Sequence, residues 1–319
     1  MPSPPPAASG FDPAVLAQHG FPTISYDRLE VGETFRSDDR LIRPQDVEAY
    51  AFAIDDHDPW FFGPGPFGPP IAHPTLLANQ ALFLRHTRYV VPAGLHARMI
   101  FEFLEPVPLG SRVRTTGTVV DKYVRRDKPY MVTEYETRSE DGSLHTRGRF
   151  VQMLFRDEQA PPHGSAPHPE PEPPTHDPAI ASAEGRGGTL VVGDRLEGAP
   201  HTISQAQLDT YSGVRPRSIH TDEEWAQAKG FPTTIAQGMM STAYISALLT
   251  GSVGEGFVAG GRMDTRFLRP VLRGDTITAS ATVLGFRSDG ERTRIEFDVE
   301  ARNQRGETTL TGTASALSR

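Results

Sequence analysis

Residues 103–110 read Phe103-Leu104-Glu105-Pro106-Val107-Pro108-Leu109-Gly110, and residues 267–274 read Phe267-Leu268-Arg269-Pro270-Val271-Leu272-Arg273-Gly274. The two octads share a Phe-Leu-x-Pro-Val-x-x-Gly frame at an offset of 164 residues. Ile71-Ala72-His73-Pro74 falls on Ile235-Ala236-Gln237-Gly238 at the same offset, and Gly142 and Gly148 fall on Gly306 and Gly312. Nearer the N-terminus, Val31-Gly32-Glu33 matches Val192-Gly193-Asp194 and Tyr50 matches Tyr211, there at an offset of 161. One register held over so long a stretch marks a duplicated unit.

Between the copies, Pro161 to Pro178 holds eight prolines. Proline has no amide donor and fixes φ, so this stretch reads as an extended spacer. The expected organisation is a flexible N-terminal segment 1–23, a repeat at 24–156, a Pro-rich linker at 157–187 and a repeat at 188–319. His163, His168 and His176 fall in the spacer; without cysteine or a carboxylate cage they carry no metal site, and none is expected elsewhere.

Each repeat reads alike. A short strand precedes a helix opening at a cap-like position, at Arg43-Pro44-Gln45-Asp46 and at Ser204-Gln205-Ala206-Gln207. A helix apolar on nearly every side follows, from about Pro74 to Arg85 and from about Gly238 to Leu249, and must therefore be buried. The remainder alternates as antiparallel strands, such as 276–283 and 294–301 joined by a turn at 288–291. A buried helix wrapped by a curved antiparallel sheet is the hot-dog architecture. Two copies predict an α+β double hot dog with the sheets joined edge to edge, which also removes an exposed edge.

Composition limits the function. With 32 Lys plus Arg against 40 Asp plus Glu, the net charge of -8 argues against a nucleic-acid partner, whose phosphates need clustered cations. The absence of cysteine excludes disulfides, iron–sulfur clusters and cysteine nucleophiles. No apolar run reaches the roughly 20 residues of a membrane span, and the N-terminus has no signal-like apolar core. A cytoplasmic protein without a membrane partner is expected. No G-x-G-x-x-G or G-x-x-x-x-G-K-[ST] pattern suggests a nucleotide, and no cofactor is expected.

The segment with most chemistry is Tyr211-Ser212-Gly213-Val214-Arg215-Pro216-Arg217-Ser218-Ile219-His220-Thr221-Asp222, followed by Ala226, Gly230-Phe231 and Ile235-Ala236-Gln237-Gly238-Met239. It resembles the MaoC-like dehydratases, the (R)-specific enoyl-CoA hydratases, whose pattern is an aromatic residue, S-G-D-x-N-P-apolar-H-x-D, then G-F and I-A-H-G-M. The resemblance implies reversible syn addition or elimination of water at a 2-enoyl or 3-hydroxyacyl thioester of CoA or an acyl-carrier protein. It also implies an Asp and a His five residues apart, with the amide at the buried helix's N-terminus polarising the thioester carbonyl. Enolate charge develops on that oxygen, so a preorganised amide at the positive helix end is what the chemistry needs. Gly238 occupies that place in the second repeat, whereas Pro74 in the first has no N–H to give.

Both copies depart from the pattern. Five residues before His220 stands Arg215, Val214 follows Ser212-Gly213, and Ser-Gly to His is one residue too long. In the first copy Asp56 fills the Asp place but Phe61 stands where His belongs. Three readings stay open: His220 acts alone or with a carboxylate such as Asp222, Asp56 or Asp58; the chemistry differs from hydration; or the site binds an acyl thioester without turnover. Asp222 can equally cap the helix that follows. Gln237 can orient a ligand without titrating, and His73 is a functional group or a bonded core histidine. Arg215 and Arg217 are candidates to pair a carboxylate or a CoA phosphate, against the alternative of a solvated loop. Trp60 is a candidate tunnel residue or part of a dimer seam, and Met239 a substrate neighbour or a core residue. A thioesterase is disfavoured because neither buried helix carries an Asp or Glu near its start. A homodimer or a pseudo-dimeric monomer is expected.

Overall fold

A computed structural model describes residues 20–91, 94–154, 175–213 and 218–319, with the side chains of 79 and 80 left aside. In the first repeat β1 (Thr34–Arg36) and β2 (Arg40–Leu41) lead to helix α1 (Pro44–Ile54). A short 3-10 turn (Pro59–Phe61), helix α2 (Pro74–Ala81) and a second 3-10 turn (Leu84–Thr87) follow. Strands β3 (Leu95–Phe103), β4 (Arg112–Arg125), β5 (Lys128–Ser139) and β6 (Leu144–Met153) complete it. The second repeat begins with β7 (Ser182–Gly185), β8 (Gly188–Val191), β9 (Arg195–Glu197) and β10 (His201–Thr202). Then come α3 (Gln205–Ser212), α4 (Glu223–Ala228), α5 (Gly238–Val253), α6 (Glu255–Val258), β11 (Arg262–Phe267), β12 (Thr276–Asp289), β13 (Arg292–Asn303) and β14 (Thr308–Leu317).

Twelve strands form one sheet in the order β1-β4-β5-β6-β3-β11-β14-β13-β12-β10, with β2 beside β4 and β9 beside β12. The halves join through the antiparallel pair β3–β11, in which Ile100 faces Asp264. These two positions are equivalent at the 164 offset, so the pseudo-twofold axis passes through that pair. Arg98 clamps Asp264 across the seam, its Nε 2.7 Å from Oδ1. This is the double hot dog the sequence implied, with α2 and α5 buried against a continuous curved sheet.

Local chemistry accounts for the helices. Ser204 caps α3 in a reciprocal box with Gln207, satisfying two amides that the helix leaves unpaired. Helix α5 carries no charged residue over sixteen positions and buries Met239, Met240, Ala243, Tyr244, Ile245, Leu249 and Val253. Helix α2 is shorter than its sequence suggested: it ends at Ala81, and the chain continues through the 3-10 turn that places Arg85 and His86 inside. Strands β12 and β13 are longer than 276–283 and 294–301, turning only at Gly290 and Glu291.

Two boundaries differ from expectation. Most of the linker 157–187 lies outside the described residues, but its last part is ordered as the β7–β8 hairpin. Arg186 of that hairpin pairs with Asp58 and covers the Trp60 ring at 4.1 Å, tying the second half to the first. Of the N-terminal segment, Pro22 accepts a bond from the Val90 amide, so its last residues are fixed to the body.

Candidate active site

The second buried helix starts at the wall of a cavity. Gln237 is its N-cap in extended backbone (φ -65°, ψ 133°) and Gly238 its first helical residue. The amide of Ala236 bonds the Val271 carbonyl at 2.8 Å, which pins this segment to the loop after β11. A Cβ on Gly238 would lie 2.8 Å from Phe267 Cδ1, inside contact distance, so the glycine lets the Phe267 ring close on the helix start. The first amides of an α-helix lack intrahelical acceptors and sit at the positive end of its dipole.

His220 lies between α3 and α4. Its amide donates to Ser218 Oγ at 3.2 Å, and its ring Nδ1 lies 2.8 Å from the Ile235 carbonyl oxygen. A carbonyl can only accept, so Nδ1 carries the proton and the neutral ring bears its basic lone pair at Nε2.

His220, Gln237, Gly238 and Ser241 line a cavity of about 270 Å³ whose other walls include Phe267 and, from the first repeat, Arg85, His86, His96 and Gln152. The cavity is thus shared between the halves. Burial, then the charges of Arg85 and His220, push the His96 imidazole down to about 3, so it is neutral near neutral pH. Among the described lining residues there is no Asp or Glu. A cation-lined, partly apolar pocket of this kind favours an anionic or enolate-forming ligand.

Residues 189–304 match the family model of the MaoC like domain. The matched stretch takes in most of the second repeat. Over 87 residues it is 38% identical to the (R)-specific enoyl-CoA hydratase of Rhodospirillum rubrum, covering 26% of this chain and 60% of that protein. Over 116 residues it is 28% identical to the mesaconyl-CoA hydratase of Cereibacter sphaeroides, covering 35% of this chain and 34% of that protein. The matched segments therefore span less than two thirds of either relative. A solved MaoC-like dehydratase superposes over 92% of this chain and 99% of its own with a TM-score of 0.72 at 18% identity, which carries the fold to the whole chain.

Around the MaoC-like site the expected residues separate. Gln237 lines the cavity and donates from Nε2 to Ser212 Oγ at 2.9 Å, which fixes its carboxamide. Asp222 caps α4, its Oδ1 accepting from the Trp225 amide at 2.9 Å. Met239 does not touch the cavity; it faces the core and is fully buried, because the second helical position turns away from Gly238. Arg215 and Arg217 lie outside the described residues.

Asp56, His73 and Trp60 are not cavity residues either. Asp56 Oδ2 approaches His73 Nε2 at 2.7 Å, off the line of a straight hydrogen bond. His73 Nδ1 meets Thr75 Oγ1 at 2.8 Å, and Thr75 Oγ1 meets the Tyr50 hydroxyl at 2.9 Å. Burial would raise the Asp56 carboxyl, but His73, the Asp58 amide and His57 outweigh it and hold it below the ordinary value. Asp56, His73, Thr75 and Tyr50 thus form one chain of polar contacts in the first copy. Trp60 is occupied by Arg186 on one face and by Phe67 edge-on at 5.8 Å.

Arg85, His96 and Gln152 are the cavity residues that the motif reading missed. Arg85 was legible only as a charge ending an apolar run, which reads as a cation at a helix C-terminus. His96 and Gln152 sit on strands with no motif around them.

Proposed function

We propose that the chain is a hydratase/dehydratase of 2-enoyl and 3-hydroxyacyl CoA thioesters, working in the cavity between its repeats with His220 as the group that moves the proton. The observation that carries this reading is that His220, with Nδ1 committed to the Ile235 carbonyl, lines the same cavity as Gly238 at the start of α5. The names of the two hydratase relatives support it at the level of reaction class.

In the hydration direction, Nε2 of His220 takes a proton from water while the water oxygen bonds to C3 of the enoyl group. The C2–C3 π pair moves onto the thioester, and the resulting enolate oxygen accepts from the Gly238 amide. The imidazolium then returns its proton to C2 on the same face, and the enolate collapses to the thioester. His suits both transfers because its pKa of about 6.5 lies near neutrality. The missing family Asp removes a second group that would orient the water, so a slower reaction is expected than in a site with both.

The test is turnover of short 2-enoyl-CoA substrates by the wild type and by His220→Gln. Loss of turnover with unchanged folding supports the assignment; equal rates refute it. The absence of a carboxylate among the described cavity residues favours one second reading, an acyl-thioester binder. That reading predicts saturable binding of enoyl-CoA, followed by tryptophan fluorescence, with no change in the enoyl absorbance.

A further inference from the structure

Strand β3 carries one residue too many near its start. Along its pairing with β6, Met99 faces Phe150 and Arg98 faces Val151, yet the next partner, that of Gln152, is His96, which leaves Ala97 as an extra residue. A bulge of this kind re-aims the side chains beyond it. In an unbroken strand His96 would share the face of Arg98 and Ile100. With the bulge it stands opposite buried Gln152, on the side of Met99 and Phe101, and it lines the cavity. The equivalent position in the second repeat is Gly260, where a Cβ would lie 2.6 Å from Leu317 Cδ1. The imidazole is therefore present only on the side of the repeat interface that has His220.

His96 is half-buried. Among the described residues neither of its ring nitrogens has a hydrogen-bond partner, and neither is sealed from solvent. Its ring lies 6.1 Å from that of Phe267, which in turn rests against Gly238, so one aromatic ring separates the imidazole from the start of α5. Desolvation, then the charges of Arg85 and His220, hold the imidazole down at about 3, so it is neutral when His220 is protonated.

We infer that His96 holds the attacking water against His220, in the role that the missing family carboxylate leaves open. The inference rests on the hydratase reading of the cavity. Water has two protons to place. One passes to His220 as the oxygen bonds to C3. The other is donated to the His96 lone pair and stays on the oxygen, as the hydroxyl proton of the 3-hydroxyacyl product. In elimination the same lone pair accepts from the leaving hydroxyl. No Asp or Glu lines the cavity among the described residues to take this part. A neutral acceptor suits it, because a second cation facing His220 would oppose the proton transfer to that ring. Since neither His96 nitrogen is committed elsewhere, the ring can present a lone pair or an N–H at the same place by changing tautomer. The two imidazoles come from different repeats, so the reacting group is complete only where the copies meet.

The experiment measures kcat and KM for crotonyl-CoA hydration by the wild type, His96→Leu and His96→Gln, each checked for folding. His96→Leu removes both nitrogens and should lower kcat about a hundredfold, the cost of a misplaced reactant, with KM within a few fold. His96→Gln keeps an acceptor and a donor and should recover about tenfold of that loss. Should His96→Leu not fold, His96→Phe, which keeps a ring and removes the nitrogens, makes the same comparison. Wild-type kcat in a folded His96→Leu overturns the inference and leaves the hydratase reading standing, as does a His96→Gln no faster than His96→Leu. A second arm needs no turnover: binding of acetoacetyl-CoA and butyryl-CoA, which differ by the oxygen on C3 and are not hydrated. The wild type should prefer acetoacetyl-CoA roughly three- to tenfold, the net worth of one hydrogen bond, and His96→Leu should bind the two alike. A preference that survives in His96→Leu overturns the contact. A preference that depends on His96 in a protein that turns over no enoyl-CoA keeps the contact and defeats the hydratase reading instead.

Discussion

The phenolic oxygens of Tyr50 and Tyr211 lie 3.5 Å apart at the junction of the two repeats. The two residues are each other's equivalents at the 161 offset, and equivalent positions can touch only near the pseudo-twofold axis. Their surroundings are not symmetric. Tyr50 continues into Thr75, His73 and Asp56, whereas Met239 and Gln237 stand at the positions matching Thr75 and His73. Burial first, then Asp56, pushes the Tyr50 phenol up to about 12 against the opposing bonds of Thr75 and Tyr211. The Tyr211 phenol is likewise held well above its ordinary value, by burial first and then by Tyr50. Both are therefore neutral, and the junction is held by hydrogen bonds and ring packing rather than charge.

This asymmetry gives a stability prediction. Tyr50→Phe removes a hydroxyl placed between Thr75 and Tyr211 and should cost about 1–2 kcal/mol. Tyr211→Phe removes only the 3.5 Å contact and should cost less. Urea unfolding of the two variants checks the order, and a larger loss for Tyr211→Phe would contradict it.

Acid should weaken the fold in two stages. The His96 imidazole titrates near 3 in the folded chain against about 6.5 unfolded. The unfolded state thus binds the extra proton as pH falls through 6.5, and stability drops from there toward 3 by at most about 1.4 kcal/mol per pH unit. The Asp56 carboxyl is also held below its ordinary 3.8. Its contribution is complete above 3.8 and is lost only as pH falls through the lower folded value. His96→Gln should flatten the first stage and leave the second. Unfolding free energies measured from pH 7 to pH 2 decide this; a wild type with no slope between 6.5 and 4 would count against a neutral His96.

Much of the architecture is legible in the sequence because the signals are long. The 164 offset linked Ile71 to Ile235 and the two Phe-Leu-x-Pro-Val octads, and the unbroken apolar face of 238–249 left burial as the only outcome. His220 and Gly238, which the motif singled out, both line the cavity at its second-repeat end. No motif marks the other end. Arg85, His96 and Gln152 lie on three elements of the first repeat: His96 and Gln152 are register partners on β3 and β6, and Arg85 reaches them from the turn after α2. No local pattern records such a meeting. Asp56 and His73 each occupy a motif position but are not among the residues lining the cavity: Phe61 stands in the place of the family histidine, and His73 bonds Thr75 and approaches Asp56 at 2.7 Å.

Gly238 should tolerate no side chain. Gly238→Ala puts a Cβ at 2.8 Å from Phe267 Cδ1 and 2.9 Å from Cε1, so the ring must move into the cavity. The amide donor survives in Gly238→Ala, so the expected loss of enoyl-CoA turnover, roughly tenfold or more, comes from lost space and misplacement of the thioester. Gly238→Ala combined with Phe267→Leu returns that space and should recover most of the rate. Failure of the double variant to recover would point to the backbone rather than the ring.

His220 and Asp222 are two residues apart and should behave differently when changed. The Ile235 carbonyl oxygen lies 2.8 Å from His220 Nδ1, so the ring is oriented through that nitrogen, and the residue lines the cavity. Asp222 uses Oδ1 to cap α4 through the Trp225 amide, a bond that does not depend on substrate. Replacing a cap of this kind costs about 0.5–2 kcal/mol of stability, and Asp222→Asn, which keeps an acceptor, should sit at the low end with turnover within a few fold of wild type. His220→Gln can still donate to the Ile235 carbonyl and fill the space, but it cannot take and return a proton. Its enoyl-CoA hydration should fall by about 10²–10⁴, the usual contribution of a placed acid–base group, while its unfolding midpoint stays near wild type. Rates and midpoints measured on both variants separate the roles. If Asp222→Asn loses as much rate as His220→Gln without losing stability, Asp222 is the missing carboxylate partner and the cap is secondary.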